Sequence, residues 1–193
     1  MTNFLTRNYL GRLIDPWRNS FFRVVNTENT VLNTEKGLSR VASHRIQGFS
    51  DGSVVYYAVR TNSDEPTVVS FNMNVEGKVR VDLFEDADVT ISGDPQGGDI
   101  LDSNLNRISG EEFPNVEVLP DVTVDVEGTR IATGGAGGRR AAGQTRPVPA
   151  NVLGSPWVLD TDTTYVYRVE NVSGDSIDLN PTLGYTTRSL PEL

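Results

Sequence analysis

Between Val69 and Leu83 apolar side chains recur at every second position, a period that fits a β-strand with one buried face and does not fit a helix. Val69, Phe71, Met73 and Val75 alternate with Val68, Ser70, Asn72 and Asn74, and Val79, Val81 and Leu83 alternate with Lys78, Arg80 and Asp82. Glu76-Gly77 between the two runs has the length of a hairpin turn, so residues 67–85 are expected to form a β-hairpin. Residues 54–60 make a further strand, introduced by the turn dipeptide Asp51-Gly52 and rich in β-branched and aromatic residues. Shorter candidates lie at 40–46, 89–92, 116–119, 122–126 and 129–132. Near the end, 164–171 alternates Tyr165, Tyr167 and Val169 against Val166, Arg168 and Glu170, and 176–185 forms the last strand region, where Pro181 predicts an edge or a bulge. About eight to ten short antiparallel strands without βα alternation predict an all-β chain, a β-sandwich or jelly roll.

Residues 1–39 read differently. Phe4, Leu5, Tyr9, Leu10, Leu13, Ile14 and Trp17 have the spacing of a short amphipathic helix ending near Pro16, and Phe21 and Phe22 extend the apolar content. Three readings stand: a helix packed on its own domain, disorder, or an arm whose Phe4, Leu5, Tyr9, Leu10, Leu13, Trp17, Phe21 and Phe22 bind a neighbouring subunit, since so many aromatics left exposed would form a sizeable patch. The expected division is thus an arm over 1–39 and a β domain over 40–193, with a long Gly/Pro-rich loop at 134–155.

Composition narrows the function classes. No run approaches the roughly 20 apolar residues of a spanning helix, and neither a signal peptide nor a membrane anchor is expected. With no cysteine, disulfides, thiolate metal sites and cysteine nucleophiles are excluded. Twenty-six acidic residues oppose 17 basic ones, of which only Lys36 and Lys78 are lysine, and the net charge of −9 argues against nucleic-acid binding. An acidic, lysine-poor chain fits a halophilic source, and equally an acidic protein from a high-GC genome.

No catalytic, cofactor or metal site is expected. The lone histidine, His44, has no second histidine or cysteine to share a metal and is expected at the surface or an interface. No Gly-x-Ser-x-Gly occurs. The glycines at 134, 135, 137 and 138 lead into Arg139-Arg140 rather than Gly-Lys-Ser/Thr, so they read as a flexible loop whose two arginines could contact acidic partner surfaces. Glu85, Asp86 and Asp88, then Asp94, Asp99 and Asp102, then Asp160 and Asp162, cluster without EF-hand spacing and read as acidic turns. Asn171-Val172-Ser173 fits a glycosylation acceptor but reads better as a turn after a strand. Tyr56, Tyr57 and Trp157 could stack on sugars, which keeps a carbohydrate-binding or glycan-active sandwich open as an alternative.

In the C-terminal third, Ser155-Pro156-Trp157-Val158-Leu159, then Thr163-Thr164-Tyr165, then Arg168-Val169-Glu170-Asn171-Val172-Ser173-Gly174 and a closing apolar strand resemble a group of small structural proteins of tailed viruses. Asn104-Leu105-Asn106-Arg107 and the glycine-rich stretch before Trp157 recur in the same order, and the resemblance spans roughly residues 50 to 187. It implies a β-sandwich virion protein, a head decoration, turret or accessory component without catalytic residues. Its partners would be the major capsid protein or other virion proteins and copies of itself, with a trimer favoured. A tail, baseplate, adaptor or receptor-binding role is the alternative. The aromatic N-terminal segment is longer than a decoration domain requires.

Overall fold

The computed structural model describes residues 39–61, 66–91, 100–105, 116–137, 148–151, 153–154 and 156–187. The eight apolar residues of the proposed arm, Arg139 and Arg140 lie outside them. The described strands are β1 (Ser39–Ser43), β2 (Ile46–Phe49), β3 (Val54–Thr61), β4 (Thr67–Val75), β5 (Val79–Glu85), β6 (Asp88–Thr90) and β7 (Leu101–Asn104), followed by β8 (Val116–Pro120), β9 (Thr123–Val126), β10 (Thr129–Ala136), β11 (Val148–Asn151), β12 (Trp157–Leu159), β13 (Thr164–Asn171) and β14 (Ile177–Thr187). The expected all-β sandwich is what forms: two antiparallel sheets pack face to face. The larger runs β11-β4-β14-β1-β7, with β12 also on β4 and β2 also on β14, and the smaller runs β10-β5-β13-β3-β8. A ribbon of β6 and β9 forms a third, two-stranded sheet. Strands outnumber the sequence expectation because 40–46 breaks at His44-Arg45 into β1 and β2, and because β7, β11 and β12 are too short to show a period. The stretch at 134–155 contributes the end of β10 and all of β11.

The hairpin expected at 67–85 does not form. β4 pairs with β14, β11 and β12 in the larger sheet, whereas β5 pairs with β10 and β13 in the smaller one. Glu76-Gly77 therefore carries the chain across the sandwich. The alternation is satisfied either way, because Val69, Phe71, Met73 and Val75 point inward from one sheet and Val79, Val81 and Leu83 point inward from the other, into one core. Tyr57, Tyr165, Tyr167, Leu179, Leu183 and Tyr185 complete it. Pro181 is not on an edge, since β14 is internal, between β4 and the β1/β2 pair, but it stands where the pairing on that side is irregular, in keeping with the other half of the expectation. His44 N donates to the Pro181 carbonyl at 3.1 Å, so the missing Pro181 N–H faces the interruption between β1 and β2, where no ladder bond is lost.

The chain passes between the two large sheets several times, and three of these crossings, at 50–53, 76–78 and 172–176, meet at one end of the sandwich around Asn171. Its buried amide uses every hydrogen-bonding position: Nδ2 donates to the carbonyls of Phe49 and Asp175, both at 2.8 Å, and Oδ1 accepts from Ser173 N at 3.0 Å and Ser173 Oγ at 2.7 Å. Its backbone bonds Gly52 and Ser53 of the first crossing, and Val172 N donates to the Lys78 carbonyl of the second. Gly77 is needed there because a Cβ would meet Ile177 Cγ2 at 2.6 Å and Ser173 Cβ at 2.9 Å.

Across the core, Tyr167 stacks on Phe71 with centroids 4.5 Å apart. The Tyr167 hydroxyl is buried with no hydrogen-bond partner. A stranded hydroxyl costs about 1–3 kcal/mol. Tyr167→Phe should therefore raise stability by about 1 kcal/mol, read as a higher midpoint in urea with an unchanged slope; a lower midpoint would show that the hydroxyl is satisfied.

Candidate functional site

The outer faces of the two sheets differ. On the smaller sheet the apolar part, with Ala58, Phe84 and Val166, is covered by Val89, Val122 and Val124 of the β6-β9 region. Beside that cover lies an ionic network. Asp82, its side chain 3% exposed, has Arg80 Nε at 3.3 Å, Arg168 Nη1 at 3.5 Å and Arg130 Nη1 at 4.0 Å. Glu170 holds the same Arg80 and Arg168 more closely, at 2.8 and 2.9 Å. Burial alone would lower the Arg168 pKa; Glu170 and Tyr56 outweigh it and hold the guanidinium above its ordinary value. Removing one member of a buried pair costs about 3–5 kcal/mol, but here Glu170 retains both arginines and Arg80 is half exposed. Asp82→Ala should therefore destabilise by about 2 kcal/mol in low salt and by less in high salt; a loss independent of salt would assign the effect to packing.

On the larger sheet the outward residues of β4 are Val68, Ser70, Asn72 and Asn74, and those of β14 facing them are Thr186, Gly184, Thr182 and Asn180. On β1, Ser39, Val41 and Ser43 lie opposite Thr186, Gly184 and Thr182, and on β7, Ser103 and Leu101 lie opposite Val41 and Ser43. None of these side chains is ionisable. Ser39 is buried at the margin, and a protein surface of ordinary composition would place about three to four charges on the other twelve positions. The first charges occur at the rim, where Arg45 and Asp178 pair at 3.9 Å. Leu101 and Val158 stand at the edges, 71% and 61% exposed. The face is level at its middle because Gly184 has no side chain; a Cβ there would meet Ser70 Oγ at 3.0 Å.

Several of the residues that the sequence offered for chemistry are engaged in the framework. His44 is buried rather than at a surface, its Nδ1 2.9 Å from the Tyr57 hydroxyl. The recess beside it, bordered by Ala42, Phe71, Pro181 and Leu183, amounts to about 10 Å³, room for one water at most. Tyr57 is in the core and cannot stack on a sugar; Tyr56 and Trp157 are half-buried. Glu85 accepts from the Tyr165 hydroxyl at 2.7 Å, and Asp102 accepts from the Tyr185 hydroxyl at 2.6 Å and from Arg40 Nε at 3.2 Å. Among the described residues no group of three His, Asp or Glu is placed to hold a metal ion, and no helix is long and apolar enough to cross a membrane. Asp94 and Asp99 lie outside the described residues. Asn171-Val172-Ser173 is the turn expected of it.

Sequence reading passed over the uncharged face and the Asp82 network. Both were visible as alternate residues of single strands, but only strand order places those residues side by side. No family model matches the sequence, and no curated protein matches it. Among solved structures, the VP2 subviral particle of infectious bursal disease virus aligns with 80% of this chain at 11% identity and a TM-score of 0.15. The aligned part is 43% of that protein, so this chain spans less than half its length, and at that TM-score the likeness defines no shared fold.

Proposed function

We propose that this chain is a structural building block of a virion, a decoration or turret component that joins a capsid shell and packs against copies of itself, acting by contact rather than catalysis. The observation that carries the reading is the uncharged outer face of the larger sheet in a chain of net charge −9. Depletion of charge marks the centre of protein–protein interfaces, where desolvating an ion would oppose association. The C-terminal resemblance to virion proteins supports the same reading. Its residues serve the framework: Tyr165 ties Glu85 to the Asp160 backbone, Arg168 joins the Asp82 network, Val169 is core and Asn171 gathers the crossings. In this reading the aromatic segment with Phe4, Trp17 and Phe21 docks on the major capsid protein or another virion protein.

Quantitative mass spectrometry of purified particles tests the proposal. Hundreds of copies per particle are expected of a shell component; about a dozen or fewer would move it to a tail, baseplate or adaptor position. Absence from particles would overturn it. Deleting residues 1–25 should leave a folded domain that no longer attaches to particles.

A further inference from the structure

We infer that the outer face of the larger sheet is the surface through which two copies of this chain meet, each placing its β4-β14-β1-β7 face on the same face of the other. This rests on the reading of the protein as a self-associating building block and identifies the surface it uses.

Charge argues for a second copy as the occupant. Two molecules of charge −9 repel over most of their surface, and the approach that adds no close like-charge contact is one in which both present an uncharged face. Chemistry argues the same way. The amides of Asn72 and Asn180 and the hydroxyl of Thr182 each donate and accept, so the face is complementary to itself under a two-fold rotation, as a surface of one-signed charges could not be. Gly184 keeps the centre level, so two sheets can approach without a protruding side chain.

Size sets the expected strength. With strands about 4.8 Å apart and about 3.3 Å per residue, the seven residues each of β4 and β14 and the shorter stretches of β1 and β7 span roughly 350 Å². That is about half of the roughly 800 Å² per partner in a standard interface, with Leu101 and Val158 adding apolar area at the margin. The isolated pair should then have a dissociation constant in the range of about ten to several hundred micromolar, strengthened where an assembly engages several contacts at once.

Sedimentation equilibrium of the full chain across that range tests the inference. Wild-type protein should show a monomer–dimer equilibrium. Thr182→Asp and Asn72→Asp should each weaken it by at least about tenfold while circular dichroism and melting temperature stay unchanged. Asn74→Asp, at the exposed end of β4, is the variant to use if either fails to fold. A mixture of Asn72→Asp with Asn72→Lys should restore association that neither shows alone. A wild-type chain that stays monomeric to about 1 mM overturns the proposal, as does a dimer that the face variants leave intact. Association that depends on this face in a protein absent from particles would uphold the contact and overturn only the virion reading.

Discussion

Raising the pH above 10 should unfold the domain cooperatively, with ionisation of its buried tyrosines and loss of the β signal in one transition. Burial is the largest cause holding the hydroxyls of Tyr57, Tyr165, Tyr167 and Tyr185 above the ordinary tyrosine pKa of 10.0. The Tyr165 hydroxyl is pushed up to about 12, burial and Glu85 outweighing the opposing hydrogen bond from the Asp160 N–H. For Tyr185 the Asp102 carboxylate adds to burial against only a partial offset from Arg40. A raised folded pKa on an acid means that the fold holds the proton more tightly. The stabilisation is therefore complete below pH 10, where both states are neutral, and is lost as the unfolded chain ionises first. Tyr165, whose hydroxyl is partly screened by solvent, would give up about 1–2 kcal/mol by pH 12, and the four groups together about 4–5 kcal/mol per pH unit once pH 10 is well passed. Against a typical stability of about 5–15 kcal/mol, the midpoint should fall between about pH 11 and 13. Tyrosinate absorbance and circular dichroism, followed in one titration, check it. Smooth ionisation of these four hydroxyls near pH 10 with the fold intact would mean that the core is open to water.

Asn171→Ala should be the most damaging single polar substitution among the described residues. It removes four side-chain hydrogen bonds at once and leaves the Phe49 carbonyl buried beside a void. At about 1 kcal/mol for each bond, and more for the stranded carbonyl, the loss is about 3–4 kcal/mol. In a domain of this size that lowers the melting temperature by roughly 10 °C. The damage should be localised, with amide exchange accelerating first at 50–53, 76–78 and 172–176, because those segments depend on Asn171 to hold them together. Asp51→Ala is the comparison. Asp51 caps only the exposed Gly174 N–H at 2.8 Å and should cost well under about 1 kcal/mol. If both variants melt alike, Asn171 is not the joint proposed for it.

What was legible in the chain is what neighbouring residues impose on one another. Period-two patterning predicted most strands of the core and the alternating faces of β4, β5 and β13, because successive side chains on an extended backbone point to opposite faces whatever the strand later pairs with. Asn171-Val172-Ser173 was legible as a turn for the same local reason. Strand pairing was not, because it is decided by packing between residues far apart in sequence. β4 and β5 look like a hairpin from their alternation and short link, yet each buries its apolar side equally well from opposite sheets, and the close approach of Gly77 to Ile177 and Ser173 favours the crossing. His44 reads as a surface residue until the break opposite Pro181 turns it inward onto Tyr57. Asp82 is only an alternate residue of its strand until β10 and β13 bring Arg130 and Arg168 alongside. The uncharged face was present as separate alternations in β4 and β14, and it became a surface only when register set Asn72 beside Thr182 and Ser70 beside Gly184. Alternation is a property of one strand, whereas a face belongs to a sheet, and sheet order follows from burying the whole set of apolar sides together.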